Sequence, residues 1–241
     1  MTQNIYDNPD FFAAYARLPR SQDGLEGMPE WPALRALLPS LEDRRVLDLG
    51  CGYGWFCRWA REQGAAEIVG LDVSQRMLER AGEMTAPDRI VFRQADLETV
   101  ELETRRWDLV YSALAFHYIA RLDRLFAAVG AALGPGGDFV FSVEHPLYTA
   151  PSDPTWLAAS DRKVWPLDRY LDEGPRSTDW LAKGVIKHHR TIGTYLGLLL
   201  DAGLSIVHVE EWGPTPAQIA AHPEWTVERD RPPFLLIAAR R

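Results

Sequence analysis

The residues with the most chemical content sit in one short stretch, VLDLGCGYG, where Asp48 is followed by glycines at alternate positions, Gly50, Gly52 and Gly54. Glycine costs conformational entropy in a regular element, so three of them at a strand-to-helix join point to a tight turn or a close approach to backbone that a side chain would block. Such a turn lets a ligand reach the main chain, and the N–H groups that open the next helix point at it. A second carboxylate, Asp72, ends the next apolar run in GLDVS. It falls about 20 residues after the turn, where an acid can accept hydrogen bonds from both hydroxyls of a ribose. Two histidines, His145 after the run GDFVFSVE and His189 within KHHR, have the near-neutral titration that suits proton transfer.

These groups need a frame, and the chain supplies one. Short runs of β-branched and aromatic residues alternate with helical patterns, the rhythm of parallel βαβ units. Strands are predicted at 45–50, 67–73, 89–96, 107–114 and 137–145, with compositions suited to burial on both faces. Between them fall helices at WFCRWAREQG, stopping at Gly64, at SQRMLERAGEM, capped by Ser74, and at RLDRLFAAVGAAL before the turn GPGG. A helix over 191–203 and strands over 204–212 and 234–241 complete the pattern. In a parallel sheet ligands bind beyond the carboxyl ends of the strands, which is where the glycine turn and Asp72 both fall. Residues 146–190 and 213–233 fit no regular pattern. The first carries Pro146, Pro151, Pro154, Pro166 and Pro175 among Trp156, Trp165 and Trp180, a composition unlike a flexible linker. Irregular segments of that length in a compact domain act as lids or small subdomains.

The composition bounds the reading. A chain of 241 residues, 46% hydrophobic, buries one substantial core, and a single α/β domain over 1–241 fits it best. The net charge of −8 disfavours an open nucleic-acid surface, which depends on clustered Lys and Arg. The start MTQNIYDNPDFF lacks the form of a secretory signal, and no run of about 18 apolar residues is present, so a cytoplasmic chain without a membrane partner is expected. Cys51 and Cys57 are the two cysteines and have no zinc-ligand spacing around them; reduced structural thiols are expected. His188 and His189 are adjacent and so point apart, which argues against a shared metal. Nothing in the sequence specifies an oligomeric state.

The glycine spacing differs from the G-x-G-x-x-G of nicotinamide and flavin proteins, and the Tyr-x-x-x-Lys pair of short-chain dehydrogenases is absent. Instead, VLDLGCGYG resembles motif I of the class I S-adenosylmethionine-dependent methyltransferases, and the resemblance runs motif by motif over 44–145. It implies a Rossmann-like α/β fold: a seven-stranded, mostly parallel sheet with helices on both faces and an antiparallel last strand. It also implies S-adenosyl-L-methionine as cofactor, with the turn residues Asp48, Gly50, Cys51 and Gly52 against it and Asp72 on its ribose. By the same similarity Val73 and Met77 flank the adenine, and Asp96 meets the adenine amino group with Leu97 beside it. At the end of the strand in WDLVYSALAFHYI, which would pass beneath the methionine part, Ser112 and Ala113 would present backbone groups. His117, just beyond, reads equally as a packed histidine or a chemical one.

In relatives an N-terminal helix closes over the methionine end of the donor, which would make about 1–40 a cap and bring Tyr15 and Arg20 to the donor's carboxylate. Ile5, Phe11, Phe12 and Tyr15 form its apolar side. The lid-like segments 146–190 and 213–233 would cover a small-molecule acceptor in a largely apolar pocket with Tyr148, Leu157 and Tyr170. His145, ending a strand, and His189, opening the helix after the lid, would then stand over the methyl group as catalytic bases. The expected activity is methyl transfer to a small molecule by in-line displacement, which rests mainly on positioning. Two alternatives are a non-catalytic donor-binding regulatory protein and a nicotinamide-dependent oxidoreductase.

Overall fold

In the computed structural model, which describes residues 3–86 and 90–241, the chain opens with short helices α1 (Pro9–Tyr15), α2 (Pro19–Gln22) and α3 (Trp31–Ala36). It then alternates β1 (Arg45–Leu49), α4 (Trp55–Glu62), β2 (Glu67–Asp72), α5 (Gln75–Glu83), β3 (Ile90–Gln94), β4 (Trp107–Ala113), α6 (Leu122–Ala132) and β5 (Leu133–Glu144). After α7 (Pro146–Thr149) come two hairpins, β6 (Leu157–Ala159) with β7 (Arg162–Val164) and β8 (Gly174–Trp180) with β9 (Ala182–His189). The chain closes with α8 (Ile192–Asp201), β10 (Ser205–Trp212), α9 (Pro216–Ala221) and β11 (Phe234–Arg240).

Seven strands form the main sheet in the order β10-β11-β5-β4-β1-β2-β3. Six run parallel, and β11 lies antiparallel between β5 and β10. The strand order turns back at β1, which pairs with both β2 and β4, so the glycine turn that follows β1 sits at the switch point where such sheets bind ligands.

Alternate side chains of the strands feed two cores. On one face Leu47, Leu49, Phe139 and Phe141 pack with Leu125 and Phe126 of α6 and Tyr195 and Leu199 of α8. On the other Val46, Ile68, Tyr111 and Val140 pack with Trp31 and Leu34 of α3 and Phe56 of α4, whose ring stacks on Tyr111 with centroids 3.5 Å apart. Helices on both faces explain why the strands read as continuous apolar runs.

The predicted strands and helices agree with these elements to within a few residues; Arg89, the first residue of the third predicted strand, lies outside the described residues. Ser74 caps α5 as expected, accepting the Met77 N–H at 3.1 Å. Two boundaries differ. β5 starts at Leu133, so the glycines of GPGG form an irregularity inside the strand, where its register with β4 shifts. Lys187, His188 and His189 end β9 instead of opening a helix; α8 begins at Ile192 with Thr191 as its cap. In β9 the buried set alternates as Val185, Lys187 and His189, a strand period hidden from hydrophobicity because two of its members are polar.

The β8–β9 hairpin is tied to the N-terminal segment. The Gln3 carboxamide donates to the Gly184 carbonyl and accepts from the Ile186 N–H, both at 2.8 Å, and the Phe11 ring meets Trp180 edge-on at 5.5 Å. Ile5, Phe11 and Val185 are the buried centre of this contact. Gln218 of α9 donates to the Pro29 carbonyl at 2.8 Å, which ties the 213–233 segment to the same N-terminal region. Among the described residues no helix is long and apolar enough to cross a membrane.

Candidate active site

The turn after β1 has left-handed backbone at Gly50 (φ 80°) and Gly52 (φ 51°). The two glycines have different reasons. A Cβ on Gly50 would stand 2.5 Å from Cβ of Ala115, so this position is fixed by close packing, whereas a Cβ on Gly52 would meet nothing within 4 Å. Gly52 therefore borders open space. Beside it, the Asp72 carboxylate at the end of β2 accepts the Gly52 N–H through Oδ2 and the Ser74 N–H through Oδ1, both at 2.9 Å. Burial pushes Asp72 up to about 6, against the lowering effect of those N–H groups. Asp48 is buried under the turn, where it accepts from the Cys57 thiol at 3.3 Å, and burial pushes it up to about 7. Cys51 and Cys57 are both buried and unbridged.

A cavity of about 300 Å³ runs from this turn to the underside of the β8–β9 hairpin. Gly50, Gly52, Asp72, Val73 and Met77 line one part of it, with Asp96 and Leu97 from the loop after β3, and Tyr15 and Arg20 from the N-terminal segment. Arg20 is ion-paired at 3.1 Å to the fully buried Glu30, and Asp96 accepts the Glu98 N–H at 2.9 Å. Asp48 and Cys51 line a smaller space of about 80 Å³ that shares Tyr15, Arg20, Gly50 and Gly52 with the first. Ser112 borders neither: its hydroxyl is buried and donates to the Leu49 carbonyl at 2.7 Å, while Ala113, expected beside it, does line the cavity, followed by Leu114 and Ala115.

The two histidines expected over the methyl group also lie outside the cavity lining. Nδ1 of His145 accepts the Leu147 N–H at 3.0 Å, so Nε2 carries the proton and donates to Glu211 Oε1 at 3.0 Å. Nε2 of His189 donates to the Tyr170 carbonyl at 2.9 Å, which leaves Nδ1 to accept the Thr149 hydroxyl at 2.9 Å. Both rings are fully buried, and burial lowers both below the ordinary histidine value. Each holds the cover together: His145 caps α7, and His189 joins β9 to the segment beneath it.

The far end of the cavity is built from other residues. Glu144, the last residue of β5, lines it, whereas the next residue, His145, caps α7. Glu144 Oε1 is 2.5 Å from Nζ of Lys187, whose ammonium lies 4.9 Å from the Trp180 ring centre; Oε2 is buried with no hydrogen-bond partner. Burial would raise this carboxyl, but neighbouring His117 and Lys187 outweigh that and hold it below the usual range. His117 lines the same end and accepts the Glu144 N–H through Nδ1 at 3.4 Å; burial pushes it down to about 4, so it is neutral at pH 7 and charged only in the acid range where Glu144 itself titrates. Tyr6, Tyr118, Tyr148 and Trp180 supply aromatic wall, and Arg231 lies under the Tyr148 and Trp165 rings at 4.3 and 4.1 Å while paired with Glu228. Sequence reasoning missed Glu144, Tyr6 and Arg231. The two-residue period of β5 was the available signal for Glu144; Tyr6 and Arg231 reach the cavity only through tertiary packing. Among the described residues no group of three or more His, Cys, Asp or Glu side chains is placed to hold a metal.

Comparison with known proteins gives the same frame. Residues 46–137 match a family model described as a methyltransferase domain. The crystal structure of an S-adenosylmethionine-dependent methyltransferase from Mesorhizobium loti is 56% identical, covering 90% of this chain and 100% of that one with a TM-score of 0.87. A solved structure from Listeria monocytogenes is 39% identical over 88% of this chain and 98% of its own, with a TM-score of 0.81. A malonyl-[acyl-carrier protein] O-methyltransferase of Enterobacter lignolyticus is 35% identical over 63% of this chain, which spans 54% of that relative's length. With a sheet of this order, a glycine turn at its switch point and likeness along nearly the whole length of the two solved chains, the protein belongs to the class I S-adenosylmethionine-dependent methyltransferases and uses S-adenosyl-L-methionine.

Proposed function

We propose that the protein transfers a methyl group to a small-molecule acceptor by in-line displacement, working as one domain in which the N-terminal segment and residues 146–190 and 213–233 roof the reaction. The observation that carries this reading is the continuity of one cavity, with the glycine turn and Asp72 at one end and an aromatic wall with Glu144 at the other. The residues at the first end fit the donor: at Gly52 the space that any side chain would enter is open, next to a carboxylate able to accept ribose hydroxyls. Bound there, S-adenosylmethionine supplies a methyl carbon activated by a sulfonium.

The chain's own residues then have distinct tasks. Asp72 accepts the ribose hydroxyls, Val73 and Met77 flank the base, and Asp96 and Leu97 border its edge. Tyr15 and Arg20 face the methionine end. Tyr6, Tyr118, Tyr148 and Trp180 exclude water and hold the acceptor in line, and alignment of this kind supplies about 7 kcal/mol or more of the barrier reduction. The malonyl acceptor named for the E. lignolyticus relative is not carried over, because the shared stretch covers 54% of that protein.

The test is mass spectrometry after incubation of purified protein with donor carrying a deuterated methyl group and a metabolite extract. The expected result is a small molecule that gains the label. Binding of the donor without any labelled product would instead mark the protein as a non-catalytic donor-binding protein.

A further inference from the structure

We propose that Glu144 takes the proton of the acceptor, and that the acceptor is an uncharged molecule presenting an O–H or N–H, not a carboxylate. This deepens the function proposed above and rests on it. Three observations meet here. First, Glu144 lines the cavity's acceptor end, and of its two oxygens Oε1 is held by Lys187 while Oε2 is buried without a partner. An unpaired carboxylate oxygen in such a place is costly, and a ligand's hydrogen-bond donor would satisfy it. Second, the nearby histidines are committed: His117, His145 and His189 each have Nδ1 facing a donor, which leaves their protonated Nε2 as donors. Third, the two arginines that line the cavity have carboxylate partners, Arg20 with Glu30 and Arg231 with Glu228, and Lys187 beside it is held by Glu144 itself. A carboxylate acceptor would therefore set a second negative charge against Glu144, with the lining arginines already paired, which disfavours its binding.

The chemistry is consistent with a weakly basic group. The acceptor's lone pair forms the new bond to the methyl carbon, the methyl–sulfur bond breaks with its electron pair left on sulfur, and the acceptor's O–H or N–H proton passes to the Glu144 carboxylate. A hydroxyl oxygen gaining a methyl group becomes an oxonium and an aromatic amine nitrogen becomes an anilinium, both acidic enough for a carboxylate to take the proton late in the transfer.

The experiment has three parts. Labelled products made by the wild-type protein are heated in mild alkali: label retained on oxygen or nitrogen supports the proposal. Label released as methanol from an ester, or found on carbon or sulfur, overturns it while leaving methyl transfer intact. In Glu144→Gln, turnover should fall about 100-fold or more with donor affinity by calorimetry unchanged; unchanged turnover overturns the proposal. Since this variant leaves Lys187 buried without its partner, Glu144→Gln with Lys187→Met is measured too. The melting temperature should recover in the double variant and turnover should not; recovered turnover would mean that the pair is only structural. Binding is read separately with phenol and benzoate as probes in the presence of S-adenosylhomocysteine: phenol should bind the wild type and lose about tenfold in affinity in Glu144→Gln. Benzoate binding as tightly as phenol overturns the proposal. Wild-type protein that binds the donor but labels nothing overturns both this proposal and the function on which it rests.

Discussion

Replacing Asp72 by asparagine keeps the shape of the side chain and removes its charge. One of its oxygens accepts from Gly52 and the other from Ser74, both at 2.9 Å. A carboxamide has a single acceptor oxygen, so the exchange loses one of these bonds, about 1–2 kcal/mol. Burial acts the other way. It lifts Asp72 from 3.8 to about 6, so the group's contribution to stability is fully present below about 3.8 and lost as pH rises through about 6. At pH 7.5 the ionised group therefore costs the fold on the order of 3 kcal/mol. Asp72→Asn should leave the ligand-free protein at least as stable as wild type at that pH. Donor binding should weaken by about 1–3 kcal/mol, or about 5- to 150-fold, through loss of charge-assisted bonds to the ribose. Calorimetry at pH 7.5 and pH 5 checks both halves. Wild-type affinity should drop as pH falls below about 6, because the carboxylate must be ionised to accept two hydroxyls, and the variant should lack that step. Wild-type affinity in Asp72→Asn at pH 7.5 would refute the reasoning, as would loss of affinity only in step with unfolding.

Gly52→Arg should abolish donor binding by calorimetry while thermal melting shifts by only the strain of a left-handed residue, about 1–2 kcal/mol, because its side chain enters open space; retained binding would put the donor elsewhere. His145→Ala and His189→Ala should each lower stability by about 1–3 kcal/mol through loss of buried hydrogen bonds, with turnover per folded molecule unchanged. Unchanged melting with lost turnover would return these rings to the chemistry. Asp48 is raised from 3.8 to about 7, so its contribution to stability is lost as pH rises through about 7. Wild-type unfolding free energy should fall by about 1 kcal/mol on this account between pH 6 and 8. A denaturant titration of Asp48→Asn should show a shallower fall; equal slopes would mean that Asp48 is not the titrating group.

The end of the cavity proposed for the donor was legible in the sequence because its geometry is local. Alternate glycines, an acid at the next strand end and Ser74 at a helix start fix one another over a few residues, and Gly50, Gly52, Asp72, Val73 and Met77 do line one cavity. The acceptor end was not legible in the same way. Whether Glu144 or His145 faces the cavity depends on how β5 is set between β4 and β11, where Glu144 pairs with Phe234, and that register is a long-range property. Ser112 was displaced for the same reason: the chain turns into the cavity only at Ala113, and Leu114 has left-handed backbone at φ 54°. Residues 146–190 resisted reading because β6 and β7 are three residues each and mostly exposed, while β9 turns Lys187 and His189 inward. Their burial is made possible by partners far away in sequence, Glu144 and Thr149.

The most direct measurement is a crystal structure of the protein with S-adenosylhomocysteine. The ribose hydroxyls should meet the Asp72 carboxylate, with the nucleoside over Gly52 and the sulfur turned toward the end of the cavity formed by His117 and Glu144. A nucleoside bound outside this cavity, or a sulfur turned away from Glu144, would contradict the account.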